Sequence, residues 1–196
     1  MDTKIIFSIL EILGVIFGLI YIYYQYKASY KLWIYGLIMS ICYILVFLHA
    51  EVYYWATLNL YNLIIQVFSI WNLKKGGQDT TPLGERVSPI PVKYYPLVIL
   101  AIAILSLPLS YIAIHYLNSP IPVPEAISTA ISIVAMVILA RYYIEHWILW
   151  IIVDIFYTVY NITLGLYFTS FLYLVYTIVA IMGYIKWRKL ARKKVE

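Results

Sequence analysis

The chain has 196 residues, 64% hydrophobic and only 12% charged, with 14 Lys and Arg against 9 Asp and Glu for a net charge of +5. Soluble domains carry about 25% charged residues, so this composition excludes a soluble globular enzyme and a disordered chain, and the single Cys42 excludes an intrachain disulfide scaffold. A mean hydropathy of +0.87 sets nearly all of the chain against lipid or other membrane-buried protein, as one polytopic domain of residues 1–196.

A helix crossing the ~30 Å hydrocarbon core needs roughly 20 apolar residues, and seven segments qualify. The first, 5–26, has an apolar stretch too long for a cleaved signal peptide and a single base, Lys4, offset by Asp2. Segments 32–50 and 53–73 follow after short turns. The stretch Lys74–Lys93 holds Gly76, Gly77, Pro82, Gly84, Pro89 and Pro91 and reads as a loop over 74–94, a connector without structure of its own. Next comes 95–117, with Pro108 expected to kink it. Three prolines in Asn118–Pro124 predict a rigid turn before 124–142. Segments 146–163 and 166–187 complete the set, and a basic tail, 188–196, closes the chain. Continuous apolar runs such as Leu97–Leu107, in place of strict alternation, favour helices over a transmembrane barrel.

With seven spans, Lys27, Lys31, Lys74, Lys75, Arg86, Lys93, Arg141, Lys186, Arg188, Lys189, Arg192, Lys193 and Lys194 collect on one side and Lys4 alone on the other. The positive-inside rule then sets the N-terminus outside and the C-terminus in the cytoplasm. The basic tail is read as a topology signal that also attracts anionic lipid, not as a nucleic-acid patch.

Residues 11–75 slide onto 125–189 at an offset of 114 without a gap. Of these 65 pairs 11 are identical, and rare residues coincide: Glu11 with Glu125, Trp33 with Trp147, Tyr43 with Tyr157, Tyr53 with Tyr167, and Lys27 with Arg141. The repeats comprise 5–73 and 124–187, with 95–117 as a linker helix. The predicted fold is therefore an all-α membrane protein of seven transmembrane helices in a 3+1+3 layout of parallel repeats, an arrangement known from the SWEET sugar transporters, with substrate near mid-membrane between the halves.

Polar groups inside a span are expensive and usually face a partner or a cavity. Asn59, Asn62 and Gln66 lie at i, i+3 and i+7 in the third span; Trp147, Trp150 and Asp154 repeat that spacing in the sixth, followed by Tyr157 and Asn161. Each set falls on one helix face. The matching positions in the other repeat are Tyr173, Tyr176 and Ala180, and Trp33, Gly36 and Ser40, so one repeat supplies an amide face and the other an aromatic face with an acid. Asp154 is the only acid deep within a span, at an insertion cost of about 2.5–3.5 kcal/mol. The competing structural readings are interhelical packing for the amides and interfacial anchoring for Trp147. The candidate substrate-binding residues are Trp147, Trp150, Asp154, Tyr157, Asn59, Asn62, Gln66, Tyr173 and Tyr176.

Among the 22 tyrosines, most crowd the two interfaces as belt residues, and Tyr43, Tyr61, Tyr157, Tyr173 and Tyr176 lie within spans, where a phenol needs a hydrogen-bond partner. His49, His115 and His146 have no metal-ligand spacing, and no P-loop, H-E-x-x-H or G-x-S-x-G occurs, so neither a cofactor nor an enzymatic reaction is expected.

Trp147-x-x-Trp150-x-x-x-Asp154, with Glu11…Gly14…Gly18, Trp33-x-x-Gly36 and the closing Gly183-Tyr184-x-x-Trp187, resembles the pattern of the PnuC-type bacterial vitamin transporters. The third span departs from it, ending Ser69-Ile70-Trp71-Asn72-Leu73 where many relatives have a Gly-aromatic-x-x-Trp run. The resemblance implies an inner-membrane transporter of nicotinamide riboside, working by facilitated diffusion and alternating access, with a cytoplasmic kinase trapping the product. It also implies a homotrimer, and sister groups for thiamine or riboflavin. A pyridinium or thiazolium suits a Trp face and a carboxylate, whereas neutral riboflavin needs no acid. A membrane vitamin sensor and a structural subunit are the rival classes.

Overall fold

The computed structural model describes residues 3–50, 53–75, 86–116, 121–163 and 167–192. Among them are seven α-helices: α1 (Thr3–Tyr26), α2 (Lys31–His49), α3 (Tyr53–Lys75), α4 (Tyr95–His115), α5 (Pro122–Ala140), α6 (His146–Thr163) and α7 (Tyr167–Arg192). Five are long and apolar enough to cross a membrane by length and composition; α3 and α6, which carry the polar stripes, are the other two. The chain is an all-helical, multi-pass membrane protein.

The chain divides into two compact units, residues 1–86 and 87–196. In the first, α2 packs against both α1 and α3. In the second, α6 packs against α5 and α7, and α4 lies on α5. Half of the apolar window of α5 is buried against 11% for α1, because α5 has neighbours on two sides. Its inward positions include the small residues Ala126, Ser128, Ala130 and Ala135, which let helices approach closely. Ile90, Val134 and Ile138 form a core with Val98, Ala101, Ile102 and Leu105 of α4 and Leu149 of α6 packed around it.

The turns after α1 and α5 have the same construction. Ala28 N–H donates to Gln25 C=O (3.0 Å) and Ser29 N–H to Tyr24 C=O (3.0 Å); Tyr142 N–H donates to Leu139 C=O (2.8 Å) and Tyr143 N–H to Ile138 C=O (3.2 Å). These pairs, each 114 residues apart, are the two bonds of a Schellman cap. The cap's left-handed residue is Ala28 (φ 50°) in one and Tyr142 (φ 57°) in the other. Neither is the usual glycine, and each costs roughly 1–2 kcal/mol of backbone strain. Beside the first cap, a hydrogen bond to Tyr23, whose ring lies 4.5 Å below its ammonium, holds Lys27 above the ordinary lysine range.

The connector expected over 74–94 differs in its final stretch; residues 76–85 lie outside the described residues. Ser88 N–H donates to Tyr142 C=O (3.3 Å) and Ile144 N–H to Ser88 C=O (3.1 Å), a single parallel bridge with Tyr143. The Glu145 carboxylate accepts from Ile90 N–H (2.9 Å) and from the Tyr95 hydroxyl (3.2 Å). Val87 and Ile90 are buried beneath it. The prolines that argued for a loose loop instead leave an extended strap, because Pro89 and Pro91 have no N–H to satisfy. Likewise Pro122 belongs to the first turn of α5, where a missing N–H costs nothing; of the expected turn, residues 118–120 lie outside the described ones. The α4 helix runs without interruption through Pro108.

Candidate functional site

In the second unit the α6 stripe buries Trp147, Asp154 and Asn161, at seven-residue intervals, and leaves Trp150 and Tyr157 half-buried between them. Tyr173 and Tyr176 of α7 meet the middle of this face. The Tyr157 and Tyr173 rings stack with centroids 5.1 Å apart at 24°, and Tyr173 sets its ring edge-on to Tyr176 at 6.1 Å and 88°. Asp154 lies near enough to Tyr173 and Tyr176 for its charge to bear on both. It is 7% exposed and turned into the protein. The second-unit members Asp154, Tyr157, Tyr173 and Tyr176 thus form one aromatic face around a buried acid, with Trp150 one helical turn before Asp154.

Side-chain bonds to backbone carbonyls brace α6 and join it to α7. The Thr158 hydroxyl donates to Asp154 C=O (2.7 Å) and Asn161 Nδ2 to Tyr157 C=O (2.7 Å). Ser170 of α7 donates to Thr158 C=O of α6 (2.8 Å), a direct tie between the two. On α5, Ser128 Oγ lies 3.0 Å from the Tyr157 hydroxyl.

Trp147 belongs to a different group. At 1.5 Å rise per residue it stands about 15 Å along α6 from Tyr157. A Cβ built on Gly183 would stand 2.6 Å from its Cε2 and Cζ2 atoms, so the indole rests on bare α7 backbone. Trp187 meets it edge-on at 5.9 Å, and His146 lies 4.6 Å from both indoles. His146 Nδ1 bonds Tyr143 C=O at 2.6 Å, while His146 Nε2 and Trp147 Nε1 are buried without hydrogen-bond partners.

In the first unit, Gln66 of α3 is fully buried and neither its Oε1 nor its Nε2 has a hydrogen-bond partner; the same is true of Ser40 Oγ on α2. Gln66 lies against Gly36: a Cβ there would meet Gln66 Nε2 at 2.8 Å and the Tyr21 ring at 2.9 Å. Asn59 and Asn62 are half-buried. Gln66 therefore does not act as interhelical hydrogen-bond glue.

Ser128, His146 and Glu145 are not among the candidate substrate-binding residues. Ser128 carried a weak signal as the repeat mate of Gly14, and Trp187 and Gly183 as members of the closing motif. Glu145 carried none, since its partners lie 50 and 55 residues away.

Comparison with known proteins agrees with this architecture. A solved structure, the crystal structure of the vitamin B3 transporter PnuC, superposes with a TM-score of 0.70 over 95% of this chain and 83% of that one, at 24% identity. The nicotinamide riboside transporter PnuC of Neisseria mucosa is 26% identical over 200 residues, covering 90% of this chain and 70% of that protein. The protein of that name from Escherichia coli K12 is 33% identical over 73 residues, or 37% of this chain and 30% of that protein. The family model described as nicotinamide mononucleotide transporter matches residues 8–189. The chain belongs to that family, the family of the PnuC transporters.

Proposed function

We propose that this chain carries nicotinamide riboside across the membrane by facilitated, alternating-access transport. The observation that supports it most directly is the Tyr157–Tyr173–Tyr176 face around the buried Asp154. A pyridinium is flat, aromatic and cationic. Aromatic faces attract such a cation by about 0.5–2 kcal/mol, and a carboxylate in a low-dielectric setting adds charge complementarity. In this reading Trp150, Tyr157, Tyr173 and Tyr176 hold the ring and Asp154 its charge. Within the first unit, Asn59, Asn62 and Gln66 are assigned as polar substrate-binding groups, which the buried, unpartnered amide of Gln66 supports. Trp147, packed on Gly183, holds the His146 end of α6 in register.

The related chains named as nicotinamide riboside transporters support the substrate. The offset of 114, with matching caps, supports the 3+1+3 arrangement of parallel repeats. The 13-to-1 distribution of bases supports an inner-membrane topology with the N-terminus outside. Trapping by a cytoplasmic kinase and assembly as a homotrimer belong to the same proposal. Thiamine is the second reading, because its thiazolium presents the same cationic ring to the same face.

Calorimetric titration of the purified chain with nicotinamide riboside, thiamine and riboflavin tests the substrate. Tight binding of the first alone is expected, and tightest binding of thiamine replaces it with the second reading. Counterflow of labelled nicotinamide riboside in proteoliposomes tests transport: binding without counterflow makes the protein a sensor.

A further inference from the structure

Rotamer wells and packing confine a tyrosine ring, and a hydrogen bond from its hydroxyl to a neighbouring helix further fixes its far end. We propose that Ser128 of α5 is a positioning residue that pins the Tyr157 phenol and, through it, the Tyr157–Tyr173 stack. This rests on the reading of that face as the substrate-binding one.

The proton count sets the direction of the bonds. Ser128 Oγ lies 2.9 Å from Glu125 C=O and 3.0 Å from the Tyr157 hydroxyl. A serine hydroxyl has one proton and a carbonyl only accepts. The serine proton therefore goes to Glu125 C=O, and the Tyr157 hydroxyl donates to Ser128 Oγ. The serine is itself well seated: it is 4% exposed, it lies on the most buried helix of its unit, and its own C=O accepts from the Ser132 hydroxyl (2.9 Å). The chain from α5 backbone to Ser128 to Tyr157 to the Tyr173 ring is continuous, and a ring held in place before the ligand arrives loses less entropy on binding.

The first unit shows what the same position does without the hydroxyl. At the offset of 114, Gly14 takes the place of Ser128 and Tyr43 that of Tyr157. Tyr43 lies over Gly14 so closely that a Cβ there would stand 3.1 Å from its Cζ. The scaffold brings the tyrosine of the middle helix onto the first helix in both units, and only the second unit has a side-chain hydroxyl there to receive it.

The test is a cycle in the full-length protein. Nicotinamide riboside is titrated into the wild type, Ser128→Ala, Tyr157→Phe and the double variant, with Ser128→Thr as the rescue. One pinning hydrogen bond corresponds to roughly a 3- to 10-fold loss of affinity. Each single variant should lose that much, the double no more than either single, and Ser128→Thr should recover most of it. Wild-type affinity in Ser128→Ala, or losses that multiply in the double variant, overturns the proposal. In ligand-free protein labelled with 3-fluorotyrosine, the fluorine resonance that vanishes in Tyr157→Phe should move in Ser128→Ala and return in Ser128→Thr. A wild type that binds none of the three vitamins overturns the functional reading. The ligand-free resonance then decides the Ser128 assignment by itself, a shift upholding it and an unmoved line overturning it.

Discussion

The α1–α3 and α5–α7 triplets share the cap that follows their first helix and differ in where their bulk lies. In the first, Gly36 of α2 is covered by Tyr21 of α1 and Gln66 of α3. At the offset of 114 these three become Trp150, Ala135 and Ala180, with both alanines buried and the tryptophan half-buried. Where the middle helix has a glycine, Tyr21 and Gln66 fill the space; where the offset puts an indole, the paired positions carry only methyls. Close-packed interiors tolerate such changes when total volume is kept. The exchange turns a packed junction with one orphan amide into an aromatic face beside an acid. The matching cap after α1 and α5 therefore accompanies two different chemistries.

The largest expected effect comes from breaking the exchange. Gly36→Trp alone adds an indole where Tyr21 and Gln66 already sit, and should cost about 3 kcal/mol or more, seen as loss of folded protein in size-exclusion chromatography. Adding Tyr21→Ala and Gln66→Ala should restore most of the folded fraction; a triple variant no better than the single would show that the volumes are not interchangeable.

Gly183→Ala probes the other triplet. Its Cβ would stand 2.6 Å from a rigid, fully packed indole, so a loss of about 1–3 kcal/mol is expected, read as a lowered melting temperature. An unchanged melting temperature would mean that Trp147 has room to move.

Two variants of the aromatic face set ligand binding against folding. Trp150→Ala and Asp154→Asn should each weaken nicotinamide riboside binding by about 0.5–2 kcal/mol; loss of the indole also lowers the melting temperature, whereas Asp154→Asn leaves it little changed. Wild-type affinity in Asp154→Asn would make the acid structural.

Gln66→Leu sharpens the contrast from the amide side. Removing two buried, unpartnered polar atoms should raise stability by about 1 kcal/mol while lowering affinity. A fall in melting temperature would restore the packing reading.

The smallest effect is at the caps. Ala28→Gly relieves a left-handed alanine at the loss of one buried methyl, for a gain of about 0.5 kcal/mol. A destabilised variant would show that the methyl outweighs the strain.

The helices were legible because a membrane span must be a long apolar run, and most of the predicted ends fall within about two residues of those observed; α7, which runs on through Arg192, departs most. Five of the candidate residues, Trp150, Asp154, Tyr157, Tyr173 and Tyr176, were legible as helix faces, since 3.6 residues per turn places them without any knowledge of neighbours. The caps at Ala28 and Tyr142 were not legible, because neither is a glycine; the Schellman bonds and the burial of both side chains hold them left-handed. The strap over residues 87–91 escaped for another reason: its Glu145 partner is far away in sequence and its prolines are equally good loop formers.

Hydropathy, a period and an offset are local or one-dimensional properties, and they determined by themselves that this is a seven-helix membrane protein with one acid deep in a span and rare residues paired 114 apart. Which aromatic rings stack, which serine meets which phenol, and whether an indole rests on a glycine or beside an acid depend on contacts between helices. These are set by side-chain volume across the packing surface, and only the tertiary structure decided them.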